Sequence, residues 1–197
     1  MGYRKPLLDK LMAAGYPIDF VGSQSFGAGI PGFDDQSEVH TMASLTGGAH
    51  AKEAGYPATG IYAWLNQNPA DFVLLHVGSE DLSAARVDHV EAILTEIDRW
   101  ESDHAAEVRV LLARVIDRQP IDPRISAFND QLQAMAEARI TNATHSDKIT
   151  IVDQHAALSY PADMSDRLHP TAAGYNKMAT AWFEGIQSTC QPPISPK

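Results

Sequence analysis

The sequence predicts a doubly wound α/β domain, a parallel sheet covered by helices on both faces, and two observations carry that prediction. Short apolar runs rich in β-branched residues recur at "IDFVG" (18–22), "FVLLHVG" (72–78), "VRVLLARV" (108–115) and "ITIVD" (149–153). Near-continuous apolar runs of this length read as strands buried on both faces. Between them lie segments with apolar residues at three- and four-residue spacing, so strand and helix alternate along the whole chain.

Taken in order, a helix is predicted over 3–15, "YRKPLLDKLMAAG", ahead of the strand at 18–22. A second helix, over about 58–67, is marked by Ile61, Trp64 and Leu65 and precedes the strand at 72–78. Val87, Val90, Ile93, Leu94 and Ile97 place a third over 84–101, before the strand at 108–115. Ile125, Phe128, Leu132 and Met135 place a fourth over 123–141, before the strand at 149–153. Tyr175, Met178, Ala179 and Trp182 give a last helix over 171–187, for which Pro170 is a start signal. The three tryptophans, Trp64, Trp100 and Trp182, fall at apolar helical positions and read as core packing, not as a sugar platform.

A chain of 197 residues, 44% hydrophobic and 20% charged, fits one globular domain, assigned here to residues 1–188, with a Pro-rich, disordered tail at 189–197. A net charge of −10, with 15 basic residues spread along the chain, argues against nucleic acid or an anionic membrane as the main partner. No 18-residue apolar run or signal-peptide pattern is found, and the single cysteine, Cys190, has no partner for an internal disulfide. Compartment stays open, because a chain cut from a longer secreted protein would have lost its signal. No cofactor is implied.

In a doubly wound sheet, sites form just beyond the C-terminal ends of the strands. Those segments are "GSQSFGAGIPG" (22–32), "GSEDLS" (78–83), "IDRQPIDP" (116–123) and the loop ending in "DRLHP" (166–170). "GAGIPG" (27–32) matches a dinucleotide fingerprint, but it leads into "FDDQSE" and not into a helix, so it reads as a glycine-rich surface loop. His40 and His50, near Asp34, Asp35 and Glu38, match no metal-ligand spacing, and no metal is assigned. His76, within a strand, reads as a satisfied core histidine. Asp117 and Arg118 either line a site or form a polar loop.

"GYRKPLLDKLMAAGYPIDFVGS" (2–23), "PADFVLLHVGSED" (69–81), "FNDQL" (128–132) and "DRLHPTAAGYNKMATAWF" (166–183) together resemble the SGNH, or GDSL-type, hydrolases. The nearest likeness is to the carbohydrate esterases that remove acetyl groups from xylan. The resemblance implies a flavodoxin-like three-layer α/β/α fold and serine-ester hydrolysis, with acetylated glycans or short acyl esters as substrates. His169 matches the family's general base and Asp166 the carboxylate that orients it. The alternative for His169 is a structural residue at a helix start.

Two departures bear on activity. The family's Gly-Asp-Ser block lies at the end of a first strand, immediately before the segment that resembles "GYRKPLL", and only Met1 precedes Gly2 here. The first central strand and its nucleophile are therefore expected to be missing. In "GSED", Gly78 fits an oxyanion glycine, but Glu80 occupies the place of the oxyanion asparagine. An ionised carboxylate there opposes a developing oxyanion, and losing even a neutral donor costs about 3–4 kcal/mol. Gly55, in "KEAGYPATGI" (52–61), is the candidate for the remaining oxyanion glycine.

Ser23, Ser25 and Ser79 are the candidate substitute nucleophiles. Ser23 follows the strand that would neighbour the missing one, so a strand spacing of about 4.8 Å separates it from the original position. A nucleophile needs its base within roughly 3 Å. The missing strand also predicts that 18–22 and 72–78 close up, that "EVHTMASLT" (38–46) fills the gap, or that a domain-swapped homodimer forms. Three functional readings follow: a degenerate SGNH-type domain retained as a glycan- or protein-binding module, a truncated esterase whose activity belongs to a longer protein, and an active esterase using a substitute serine.

Overall fold

The computed structural model describes residues 2–25, 27, 29–37, 60–79, 86–142 and 148–190. Among these, the element order is α1 (Arg4–Ala13), β1 (Gln24–Ser25), β2 (Gln36–Ser37), α2 (Ile61–Gln67), β3 (Phe72–Leu75), α3 (Val87–His104), β4 (Arg109–Arg114), α4 (Pro123–Thr141), β5 (Ile149–Asp153), α5 (Gln154–Ala157) and α6 (Ala172–Thr189).

The three long apolar runs form a parallel sheet in the order β3-β4-β5. Its registers pair Phe72 with Arg109 and Val110 with Ile149. Alternation along β4 divides the core in two. Val110 and Leu112 join Ile61, Trp64, Ile93, Ile97, Ile125 and Leu132 in the layer formed by α2, α3 and α4. Leu111 and Ala113 join Leu7, Leu11, Trp182 and Ile186 in the layer formed by α1 and α6. A period of two in the strand thus feeds two helical layers, which gives the three-layer arrangement. All three tryptophans are buried.

Local chemistry sets the helix ends. Asp122 caps α4, its carboxylate accepting the Arg124 N–H at 3.1 Å, with Pro123 in the first turn. Helix α3 runs past its predicted end to His104 and stops at Ala105 in the left-handed region (φ 49°). Asp153, the last residue of β5, accepts the Ala156 N–H at 2.8 Å and starts the short helix α5, which the apolar pattern does not show.

One predicted strand is absent. Residues 18–22 adopt no strand, and neither β3 nor any other described strand pairs with them. Ile18 and Phe20 still lie against the α1–α6 core, and the Phe20 N–H donates to Asp34 Oδ2 at 2.5 Å. An apolar run reports burial, whereas a strand also needs a neighbouring backbone. The direct pairing of 18–22 with 72–78 expected from a closed gap is not formed. The glycine-rich loop beyond carries a two-residue antiparallel ladder, Gln24 opposite Ser37 and Ser25 opposite Gln36. Strand β3 also stops at Leu75, short of the predicted 78. The proposed filler at 38–46, with His40, His50 and Glu38, lies outside the described residues, as does most of the predicted tail, 191–197.

Candidate active site

The segment between α5 and α6 folds back on itself. Pro170 bridges Met164, and the Thr171 N–H donates to the Asp163 carbonyl at 2.7 Å. Asp163 is buried and anchors the turn, its Oδ2 accepting the Ser159 N–H and the Lys177 ammonium, each at 2.6 Å. Thr171 then caps α6 by accepting the Gly174 N–H at 3.1 Å. Glycine is required at 174 because a Cβ there would meet the Asp163 carbonyl oxygen at 2.5 Å.

On this turn Asp166 and His169 come together. Asp166 Oδ1 accepts the backbone N–H groups of Leu168 at 2.7 Å and His169 at 2.8 Å, and His169 Nδ1 lies 2.9 Å from Asp166 Oδ2. The two backbone bonds, then the imidazole, hold the Asp166 carboxyl down to about 2. An ionised Asp166 assigns the Nδ1 proton to the imidazole and leaves Nε2 as the acceptor. Nε2 makes no hydrogen bond among the described residues, and the two side chains are 63% and 56% exposed. The pair leaves one imidazole nitrogen open to solvent.

The other strand-end loops flank it in the chain's wiring. Gly78 follows β3 with φ 106°, a conformation that favours glycine, and the Ser79 carbonyl accepts two bonds from the Arg118 guanidinium. Glu80 and Gly55, the other predicted oxyanion-region residues, lie outside the described residues. Ser23 is exposed in the loop ahead of β1, and the Ser25 hydroxyl donates to Asp35. No serine hydroxyl among the described residues is hydrogen-bonded to the His169 ring. The structure thus joins Asp166 with His169 and does not join either to Ser23, Ser25 or Ser79.

His76 is partly buried and its pKa is lowered to about 4 by burial, so it is neutral, and its Nε2 accepts the Ile116 N–H at 3.5 Å. Asp117 and Arg118, ambiguous in the sequence, are both buried. Asp117 Oδ1 accepts the N–H groups of Arg118 at 2.7 Å and Asp122 at 2.9 Å, while the Asp117 N–H donates to Tyr160 Oη at 2.8 Å. Burial pushes the Tyr160 hydroxyl up to about 12. His155, whose Nε2 lies 3.5 Å from Asp117 Oδ2, and Tyr160 were not legible as partners of this loop. Their only signal was a pair of polar residues after β5.

No protein-family profile matches the chain. A multidomain esterase of Ruminococcus flavefaciens is 25% identical over 207 residues that cover 94% of this chain. The chain spans about a quarter of that protein's length, 26%. Among solved structures, an acetyl esterase mutant with an acetate ion superposes with a TM-score of 0.76 at 19% identity, over 96% of this chain and 91% of the other. A carbohydrate esterase family 3 protein from Talaromyces cellulolyticus gives the same figures: a TM-score of 0.76, 19% identity and 96% and 91% coverage. The Clostridium thermocellum family 3 carbohydrate esterase gives 0.72 at 22% identity, over 93% and 87%. The chain shares the α/β fold of these esterases.

Proposed function

We propose that the chain is an SGNH-type carbohydrate-esterase domain that carries the base side of a site for acetylated glycans or short acyl esters and is, by itself, catalytically impaired. The observation that carries this reading is the exposed Asp166–His169 pair at the head of α6, with Nε2 open and no serine on it among the described residues. In ester hydrolysis His169 Nε2 would take the proton of an attacking hydroxyl, and the ionised Asp166 would stabilise the imidazolium that results. Gly78 stands at the oxyanion side. Glu80, where the family resemblance places an asparagine, would repel the charge that develops on the carbonyl oxygen.

Hydrolysis of 4-nitrophenyl acetate and of acetylated xylan by the purified chain, with His169→Ala as control, tests the reading. Turnover no higher than the control is expected. Turnover that His169→Ala abolishes would overturn the impairment and favour an active esterase, and fluorophosphonate labelling with mass spectrometry would then locate its serine, Ser23 included.

A second reading places the activity in a longer protein, and the quarter-length match to the multidomain esterase supports it. An in-frame Gly-Asp-Ser block upstream, restoring turnover when expressed with this chain, is the expected result under that reading. Its absence from the parent sequence would sink it.

A further inference from the structure

We propose that Arg118 is a positioning residue that ties the Gly78–Ser79 turn to the Asp166–His169 loop, holding the oxyanion side and the base side at a fixed spacing. The proposal rests on reading these loops as the two sides of an ester-hydrolysing site. Arg118 lies in the loop after β4 and is 8% exposed, and its Nε and one terminal nitrogen donate to the Ser79 carbonyl at 3.1 and 2.5 Å. The next residue reaches the other way: the Gln119 N–H donates to the Arg167 carbonyl at 3.0 Å, and Arg167 lies between Asp166 and His169.

The loop that makes both contacts is itself fixed. Asp117, 1% exposed, holds the N–H groups of Arg118 and Asp122 on one carboxylate oxygen, and its own N–H is held by Tyr160. Asp117, Arg118 and Gln119 therefore contact two separate loops, the one after β3 that carries Ser79 and the α5–α6 connection that carries Tyr160 and Arg167.

A guanidinium loses much of its hydration on burial, and here two of its donors go to a carbonyl in a turn whose glycine has φ 106°. The fork of two donors restrains that turn. Displacing a catalytic group by about 1 Å costs up to about 100-fold in rate, which is what a fixed spacing protects.

Amide hydrogen exchange on the full chain by NMR, for wild type, Arg118→Met and Arg118→Lys, tests the assignment alongside 4-nitrophenyl acetate hydrolysis. Arg118→Met is expected to speed exchange at Gly78, Gln119, Leu168 and His169 by tenfold or more while the β4 and β5 amides change less than threefold. Arg118→Lys, which keeps a donor, is expected to recover part of the protection. Acceleration confined to the Gly78–Ser79 turn, or spread evenly through the sheet, would overturn the proposal. Where wild type shows turnover, Arg118→Met lowers kcat with KM within twofold, and a change in KM alone also overturns it. Where wild type shows none, as the impaired reading expects, the exchange pattern alone decides what Arg118 does.

Discussion

The base loop, Asp163–Thr171, and the serine-bearing segment, Ile18–Ser37, both lie beside α1 or α6, yet they are held by different means. In the base loop, backbone donors and acceptors close on one another: Ser165 N–H on the His169 carbonyl at 2.8 Å, Thr171 N–H on Asp163, and two N–H groups on Asp166. The serine segment has a two-residue ladder and the Phe20 N–H on Asp34, and is otherwise tied down by side chains: Arg4 on the carbonyls of Asp35 and Gln36, Arg4 over the Phe33 ring, and Ser25 on Asp35. Interlocked backbone bonds fix a side chain's direction, whereas exposed polar pairs contribute little and yield easily. A defined Asp166–His169 pair can therefore coexist with serines that make no hydrogen bond to its imidazole among the described residues.

Substitutions should separate the two regions by size of effect. Trp182, 0% exposed on the helix that carries the base loop, should cost about 3–5 kcal/mol when replaced by alanine, read by urea unfolding. Gly174→Ala comes next, because its Cβ would press on the Asp163 carbonyl oxygen and Pro170, and a loss of about 1–3 kcal/mol is expected. Equal losses from comparable changes at Ile18–Ser37 would erase the contrast.

The pH dependence sharpens it. His76 binds its proton only near pH 4 when folded but near its ordinary value of 6.5 when unfolded. Between those values the unfolded chain takes up a proton that the folded chain refuses. Stability should therefore fall as pH drops from 6.5 to about 4, by on the order of 2 kcal/mol, and His76→Gln should flatten that slope in thermal melts.

Asp166 has the same sign in a lower window. Its folded pKa, about 2, lies below the ordinary carboxylate value, so its contribution is present above that value and is lost as pH falls toward 2. Amide protection at Leu168 and His169 should persist at pH 5, fade toward pH 2, and be reduced at all pH values in Asp166→Asn. Smallest of all, Ser25→Ala should shift stability by less than about 0.5 kcal/mol, since its hydroxyl is bound only at an exposed carboxylate. A larger loss would mean that the serine segment is built more firmly than its contacts imply.

Much of the fold was legible because burial leaves a period in the sequence. Val90, Ile93, Leu94 and Ile97 announced α3, and the runs at 72, 108 and 149 announced the sheet, since each is covered on both faces. Helix α5 was hidden because four residues carry no period, only a cap at Asp153. The Asp166–His169 pair was legible because its partners are three residues apart and share one turn. The Arg118–Ser79 and Gln119–Arg167 contacts were not, because they join residues far apart in the chain through backbone carbonyls that every residue possesses.

By itself, the sequence determined the alternation of strands and helices, the burial of the tryptophans and the local pairing of Asp166 with His169. Those depend on the pattern of apolar side chains and on neighbours within a turn. Only the tertiary structure decided that residues 18–22 form no strand, that Ser25 turns to Asp35, and that Asp117, Arg118 and Gln119 reach both the loop after β3 and the α5–α6 connection. Pairing a backbone or aiming a guanidinium depends on what stands opposite in space, and no local spacing encodes that.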